Sequence, residues 1–183
     1  MPQILLFNKP YGVLCQFTGQ ATDKTLASYI PFPDFYAAGR LDKNSEGLLV
    51  LTDNGRLQYR LSHPQFNKKK GYWVQVEGIP QAKDFMPFTK PFMMGNELFK
   101  PASISLMDEP ALWPRVPPIR FRQSIPTTWL NIILQEGKNH QIRRMTALMG
   151  FPTLRLVRYQ IDEWLLGDLK PGELRACLSK HLC

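Results

Sequence analysis

Cysteine and histidine are scarce in this chain of 183 residues, with only three of each. Cys15, Cys177 and Cys183 are odd in number and form no CxxC pair, so neither a disulfide framework nor a zinc site is expected. They read as reduced thiols. No apolar run approaches the roughly 18 residues that a membrane helix needs, and Met1-Pro2-Gln3-Ile4 lacks the charged start of a signal peptide. A cytoplasmic protein with no membrane partner is therefore expected. Internal repeats and low-complexity segments are also missing. Acidic residues are few: 15 Asp and Glu face 23 Lys and Arg, a net charge of +8.

That charge is informative because a basic surface attracts polyanions and releases counterions when it meets phosphates. Its distribution narrows the partner. Lys68-Lys69-Lys70 forms one cluster, while Arg115, Arg120, Arg122, Lys138, Arg143, Arg144, Arg155 and Arg158 crowd the second half. Trp113, Phe121, Trp129, Phe151 and Tyr159 lie among them. Flat and cationic side chains together suit unpaired bases and their phosphates. Core packing is the competing explanation, favoured for Trp129 and Phe151 and open for Trp113 and Phe121. Hydrophobic residues make up 44%, and the length suits one domain or two small lobes sharing a cleft.

Along the chain, Ile4 to Phe7 reads as a strand, Asn8-Lys9-Pro10 as a turn, and Gly12 to Phe17 as a second strand. Lys24 to Ile30 reads as a short helix ended by Pro31 and Pro33. Leu48-Leu49-Val50-Leu51-Thr52 is a fully buried strand by composition. After it, Leu57 and Leu61 are spaced for a helix over 54–62 capped by Thr52 or Asp53, though the alternation Leu57, Tyr59, Leu61 fits a strand equally well. Tyr72, Val74 and Val76 alternate with Trp73, Gln75 and Glu77, as a strand requires. A helix is expected over 81–90, disturbed by Pro87. Ser103 to Leu106 reads as a strand, and 110–126, with five prolines and three arginines, as an extended loop. Thr127 to Gln135 is strand-like. Asn139 is placed to cap a helix reaching Gly150, with Ile142, Met145 and Met149 on one stripe. Leu154 to Tyr159 closes the series as a strand. Many strands with a few helices make an α+β fold.

The stretch Gly39-Arg40-Leu41-Asp42-Lys43-Asn44-Ser45-Glu46-Gly47 stands out because it sets one carboxylate in a glycine-bounded loop that runs straight into a core strand. A loop aspartate is ordinarily a turn or cap residue. Bracing by a buried strand makes this one positioned as well as solvated. Gly-Arg-Leu-Asp followed by Ser-Glu-Gly-Leu-Leu-Val-Leu-Thr-Asp-Asn-Gly resembles the catalytic motif of the pseudouridine synthases. Four further segments carry the resemblance in family order: Phe7 to Leu14, Lys70 to Gly78, Glu136 to Met145, and Gly150 to Arg158. Within the family the chain is most similar to members that modify ribosomal RNA of the large subunit.

The resemblance implies a mixed, mainly antiparallel bent sheet with flanking helices and a central cleft, and it favours the helix over 54–62. Residues 1–183 would form a single catalytic domain, without the N-terminal RNA-binding module of the S4 type that many ribosomal members carry. The implied reaction breaks the N1–C1′ bond of a uridine, turns the base and rejoins it through C5. No net redox change occurs, and no cofactor or metal is expected. Asp42 is the implied catalytic carboxylate, acting as a nucleophile on C1′ or as a base at C2′. Arg143 would pair with it and keep it ionised. Tyr72 would stack on the base and take the C5 proton, and Leu156 would line the base pocket. Lys9, Arg40, Lys70 and Arg144 are candidate substrate contacts. Lys9 alternatively neutralises the turn it occupies, and Arg144 alternatively has a surface role. As helix neighbours, Arg143 and Arg144 point about 100° apart, so one of them at most faces a given site.

The expected partner is ribosomal RNA, bound by a monomer, with the target nucleotide extruded from its stack. The competing reading is a non-catalytic RNA-binding or ribosome-assembly protein using the same basic surface. Charge and aromatics support both readings equally, whereas Asp42, Tyr72 and Arg143 together support only the enzyme. A nucleoside hydrolase is disfavoured, since one carboxylate suffices for an isomerase that must not activate water.

Overall fold

The computed structural model describes residues 3–120 and 122–178; Phe121 and Cys183 lie outside the described residues. In chain order the elements are β1 (Gln3–Lys9), β2 (Tyr36–Ala37), β3 (Glu46–Thr52), α1 (Gly55–Ser62), β4 (Lys70–Glu77), α2 (Ala82–Phe85), β5 (Phe92–Met94) and β6 (Glu97–Phe99). They continue with β7 (Ser103–Met107), β8 (Thr127–Leu134), α3 (Gln141–Leu148), β9 (Thr153–Ile161), β10 (Trp164–Leu165) and β11 (Leu174–Leu178). This is an α+β fold. The chain divides into two compact units, one of residues 1–68 with 158–183 and the other of 69–157. β9 starts in the second unit and ends in the first.

In the first unit the strand order is β11-β1-β3-β9, with β2 on β3 and β10 on β9. β1 is antiparallel to both its neighbours, pairing Leu5 with Leu51 and with Ala176. Every residue of β3 is buried, which accounts for its unbroken apolar run. One face of the sheet presents Leu5, Phe7, Leu49 and Leu51 to Val13, Cys15, Leu26, Ile30 and Phe35. α1 buries Leu57 and Leu61. Burying a side chain of this size stabilises the fold by about 1.5–3 kcal/mol.

In the second unit the order is β9-β4-β8-β7, and β5 and β6 form a separate hairpin. β4 and β8 run antiparallel, pairing Tyr72 with Ile132 and Val74 with Leu130, and all four side chains are buried. α3 lays Ile142 and Met145 into the core of this unit.

Several local expectations change on folding. Residues 12–17 make only an isolated parallel bridge between Leu14 and Thr25, because the Leu14 N–H bonds the Lys24 carbonyl of a loop and no strand is available to it. Lys24 to Ile30 contains a single 3-10 turn, Leu26–Ser28, with no side-chain cap from Thr25. α1 is a helix, but its cap is Asn54, whose side chain accepts the Leu57 N–H. Thr52 instead takes the Asn54 N–H. α2 stops at Phe85 and passes into a 3-10 turn over Met86–Phe88, since Pro87 has no N–H to give an α-helix. α3 starts from His140, held at φ +47°, and not from Asn139. The Gln141 side chain closes that entry turn by accepting the Lys138 N–H.

Candidate active site

In the first unit, Asp42 begins a tight turn in which the Ser45 N–H bonds the Asp42 carbonyl at 3.0 Å. Its side chain is half-buried. The turn runs into Gly47 at φ +101°, where an added Cβ would lie 2.3 Å from the Arg158 carbonyl oxygen. Only glycine permits that approach of two backbones.

Two buried cations hold this loop. Arg158, 2% exposed, donates from Nε to the Leu48 carbonyl at 2.8 Å and from Nη1 to the Arg40 carbonyl at 3.3 Å, joining the loop's two ends. Lys9, with no exposed surface, donates from Nζ to the carbonyls of Val13 at 2.8 Å, Pro10 at 2.9 Å and Lys43 at 3.4 Å. Burial pushes its ammonium down to about 8, against the pull of Cys15, Glu46 and Asp42 and with the push of Arg158. Lys9 thus braces the turn from beneath and presents no ammonium to solvent. Arg40 is exposed, and its Nη2 reaches Gln16 Oε1 at 3.5 Å.

The second unit carries the other candidates. Tyr72 sits on β4 with 7% of its surface exposed, two residues after Lys70, which is 6% exposed. Leu156, on β9, is 5% exposed. Arg143 and Arg144 ride α3, both half-buried. Arg144 turns to the β5–β6 hairpin, bonding Glu97 Oε2 at 2.7 Å and the Met94 carbonyl at 3.2 Å and covering the Phe99 ring at 5.1 Å. Helical geometry leaves Arg143 on a face about 100° away. Lys138 covers Phe99 as well, at 4.5 Å, and donates to the Leu98 carbonyl. Beneath this turn, buried Glu136 accepts from the Gln141 side chain and from the Lys100 N–H, both at 2.8 Å. The start of α3 is therefore fixed from two sides.

Three arginines of the basic second half are engaged with main-chain carbonyls. Arg115 donates to the carbonyls of Pro117, Pro118 and Leu154 within its own unit. Arg155 donates to the Trp113 carbonyl at 3.0 Å and lies 5.6 Å from that ring. Arg158 is committed as described. Guanidinium groups serve irregular backbone well because one planar fork satisfies several carbonyls. The sequence offered one signal for Arg158, a cation inside the strand-like run Leu154-Arg155-Leu156-Val157-Arg158. Nothing local marked the Glu136–Lys100 bond or the clasp on Phe99, since those partners are 36 to 50 residues apart.

Residues 3–148 match the family model described as RNA pseudouridylate synthase. A protein of Vibrio parahaemolyticus named ribosomal large subunit pseudouridine synthase E is 53% identical over 171 residues, covering 93% of this chain and 72% of that protein. One of Xanthomonas axonopodis with the same name is 50% identical, covering 94% of this chain and 93% of its own length. Among solved structures, one titled as a crystal structure of pseudouridylate synthase superposes with a TM-score of 0.78 at 26% identity, over 97% of this chain and 71% of that one. The human RNA pseudouridylate synthase domain containing 1, at 14% identity and a TM-score of 0.61, shares the fold over 87% of this chain and 74% of its own. With its aspartate loop braced by buried cations and the family motifs along its length, the chain belongs to the RNA pseudouridylate synthase family, whose members are isomerases.

Proposed function

We propose that the enzyme isomerises one uridine of large-subunit ribosomal RNA to pseudouridine, with Asp42 as the carboxylate that acts on the ribose. The observation carrying this reading is the held Asp42 loop, whose two ends are joined by one buried guanidinium and whose turn rests on a buried ammonium. A carboxylate that must meet C1′ or C2′ within a few tenths of an ångström needs such support. The names of the relatives supply the substrate class.

In this reading Arg143 pairs with the Asp42 carboxylate through a charge-assisted hydrogen bond, and Tyr72 stacks on the base and receives the C5 proton. Leu156 packs against the base, while Arg40, Lys70 and Arg144 approach the RNA. Lys9 acts through the loop it braces. Both routes for Asp42, attack on C1′ and proton removal at C2′, release and recapture the base without water.

The test incubates purified protein with unmodified ribosomal RNA, without added cofactor or metal, and maps pseudouridine by carbodiimide-dependent reverse-transcription stops. One new stop in large-subunit RNA is expected, absent with Asp42→Asn, whose RNA affinity stays within a few fold of wild type. Product from the Asp42→Asn protein would remove Asp42 from the mechanism. Tight binding of the wild type with no stop, on naked RNA and on precursor particles alike, would leave a non-catalytic RNA-binding protein.

A further inference from the structure

The first unit carries a cluster of exposed rings and cations on α1 and the turn after it. The buried face of α1 is Leu57 and Leu61; its outer face carries Arg56, Tyr59, Arg60 and, at the C-cap, His63, all exposed. The chain then makes a 3-10 turn over Pro64–Phe66 and reverses at Asn67, φ +49°, which folds Phe66 back onto the helix. Phe66 meets the Tyr59 ring edge-on at 5.6 Å, and the His63 ring lies 4.7 Å from Tyr59. Gln65 Nε2 donates to the Tyr59 hydroxyl at 3.3 Å, and its backbone N–H bonds His63 Nδ1 at 3.3 Å. Three flat rings are thus locked together, yet Tyr59 remains 49% exposed.

Arg60, in the last turn of α1, suits the negative end of the helix dipole, but helix stability does not account for Arg56. α1 has no acidic residue in its first turn, and Arg56 occupies that turn, where the positive end of the helix dipole disfavours a cation. Neither Arg56 nor Arg60 makes an ion pair or hydrogen bond with another side chain among the described residues. Free cations beside a rigid aromatic shelf match the recipe for single-stranded nucleic acid, in which rings stack on bases and guanidinium groups neutralise phosphates. We propose that α1 and the turn after it form an accessory RNA-binding surface, with Tyr59 stacking on an unpaired base and Arg56 and Arg60 on its flanking phosphates.

The site is separate from the Asp42 loop. β3 spans the gap between them, its Glu46 end joined to the loop and its Thr52 end to α1. At about 3.3 Å per residue that is roughly 20 Å. The surface therefore holds RNA remote from the target uridine and contributes to choosing among substrates. This inference rests on the proposal that the substrate is RNA, and its test reads binding and not product.

Fluorescence anisotropy with a large-subunit RNA transcript would compare wild type, Tyr59→Ala, Tyr59→Phe and the double variant Arg56→Gln/Arg60→Gln across salt concentrations. Tyr59→Ala is expected to weaken binding about tenfold with the salt slope unchanged, since stacking releases no counterions, and Tyr59→Phe to stay near wild type. The double variant is expected to flatten the slope of log affinity against log salt by about 1.4, two contacts at about 0.7 each. Wild-type affinity and slope in both Tyr59→Ala and the double variant would overturn the surface. So would equal weakening by Tyr59→Ala and Tyr59→Phe, or a flattened slope with no dependence on the ring, which describes a diffuse cationic patch. If wild type binds through this face but forms no pseudouridine, the proposed function fails while the surface stands. If it forms pseudouridine and the variants bind as wild type does, the surface alone fails.

Discussion

Lys9 shows how much one side chain can reveal about the loop above it. Its ammonium is fully buried and hydrogen-bonded to three main-chain carbonyls, and burial brings it down to about 8 from 10.5. Between those values the unfolded chain still holds a proton that the folded chain has released. Stability therefore rises with pH across that window, by up to about 1.4 kcal/mol per unit, and is flat with respect to this group below it. Lys9→Met removes the effect, so urea unfolding at about pH 7.5 and about pH 10 should show wild type gaining on the variant at the higher pH. Parallel profiles would mean that the ammonium is not desolvated. Gly47 is the second informative residue. A Cβ there would lie 2.3 Å from the Arg158 carbonyl, at a φ of +101°. Gly47→Ala is expected to cost about 2–4 kcal/mol, combining the positive φ with displacement of a core strand. A loss below about 0.5 kcal/mol would show that β3 and β9 separate freely there. The glycine itself stood out in the sequence, but the backbone it must accommodate did not, because Arg158 is more than a hundred residues away.

At the scale of elements, strands and helices with strong patterns were legible and their ends were not. The run Leu48 to Thr52 reads directly as a strand covered on both faces, and β4 is legible from the spacing of Tyr72, Val74 and Val76, although Gln75 between them is buried too. Helix starts depended on which nearby side chain captured a free N–H: Asn54 for α1, and the Gln141 side chain at the entry to α3. Several side chains of similar chemistry compete for that role within two or three residues, and geometry chooses among them. The β5–β6 hairpin escaped the sequence reading altogether, since three-residue strands carry too little pattern. It is held by Phe99, fully buried, stacked on Phe92 at 5.5 Å and covered by Lys138 and Arg144. Phe99→Ala is expected to destabilise the protein by about 3–5 kcal/mol in chemical denaturation, and to release Arg144 from the hairpin. Arg144→Ala should cost far less, about 1 kcal/mol or under, as its ion pair with Glu97 is half-exposed. Equal losses from the two variants would place the stability in the ion pair and not in the ring.

For the whole molecule, a net charge of +8 predicts binding to RNA that weakens steeply with salt. The slope of log affinity against log salt, at about −0.7 per phosphate contact for single strands, counts the contacts. Arg115, Arg155 and Arg158 are engaged with main-chain carbonyls, so removing the exposed Arg120 should reduce the slope while leaving stability within about 0.5 kcal/mol. An unchanged slope would mean that RNA does not approach the loop over 110–126. By itself the sequence determined the α+β class, the family and where the candidate carboxylate loop lies. Strand periodicity is local, and a motif is a string of neighbours whose chemistry survives without coordinates. Only the tertiary structure decided which cations are available to a substrate. Lys9, Arg155 and Arg158 look like phosphate ligands in one dimension. Folding buries them against main-chain carbonyls, several from distant segments, because an unpaired carbonyl in an irregular loop must find a donor wherever the chain can bring one.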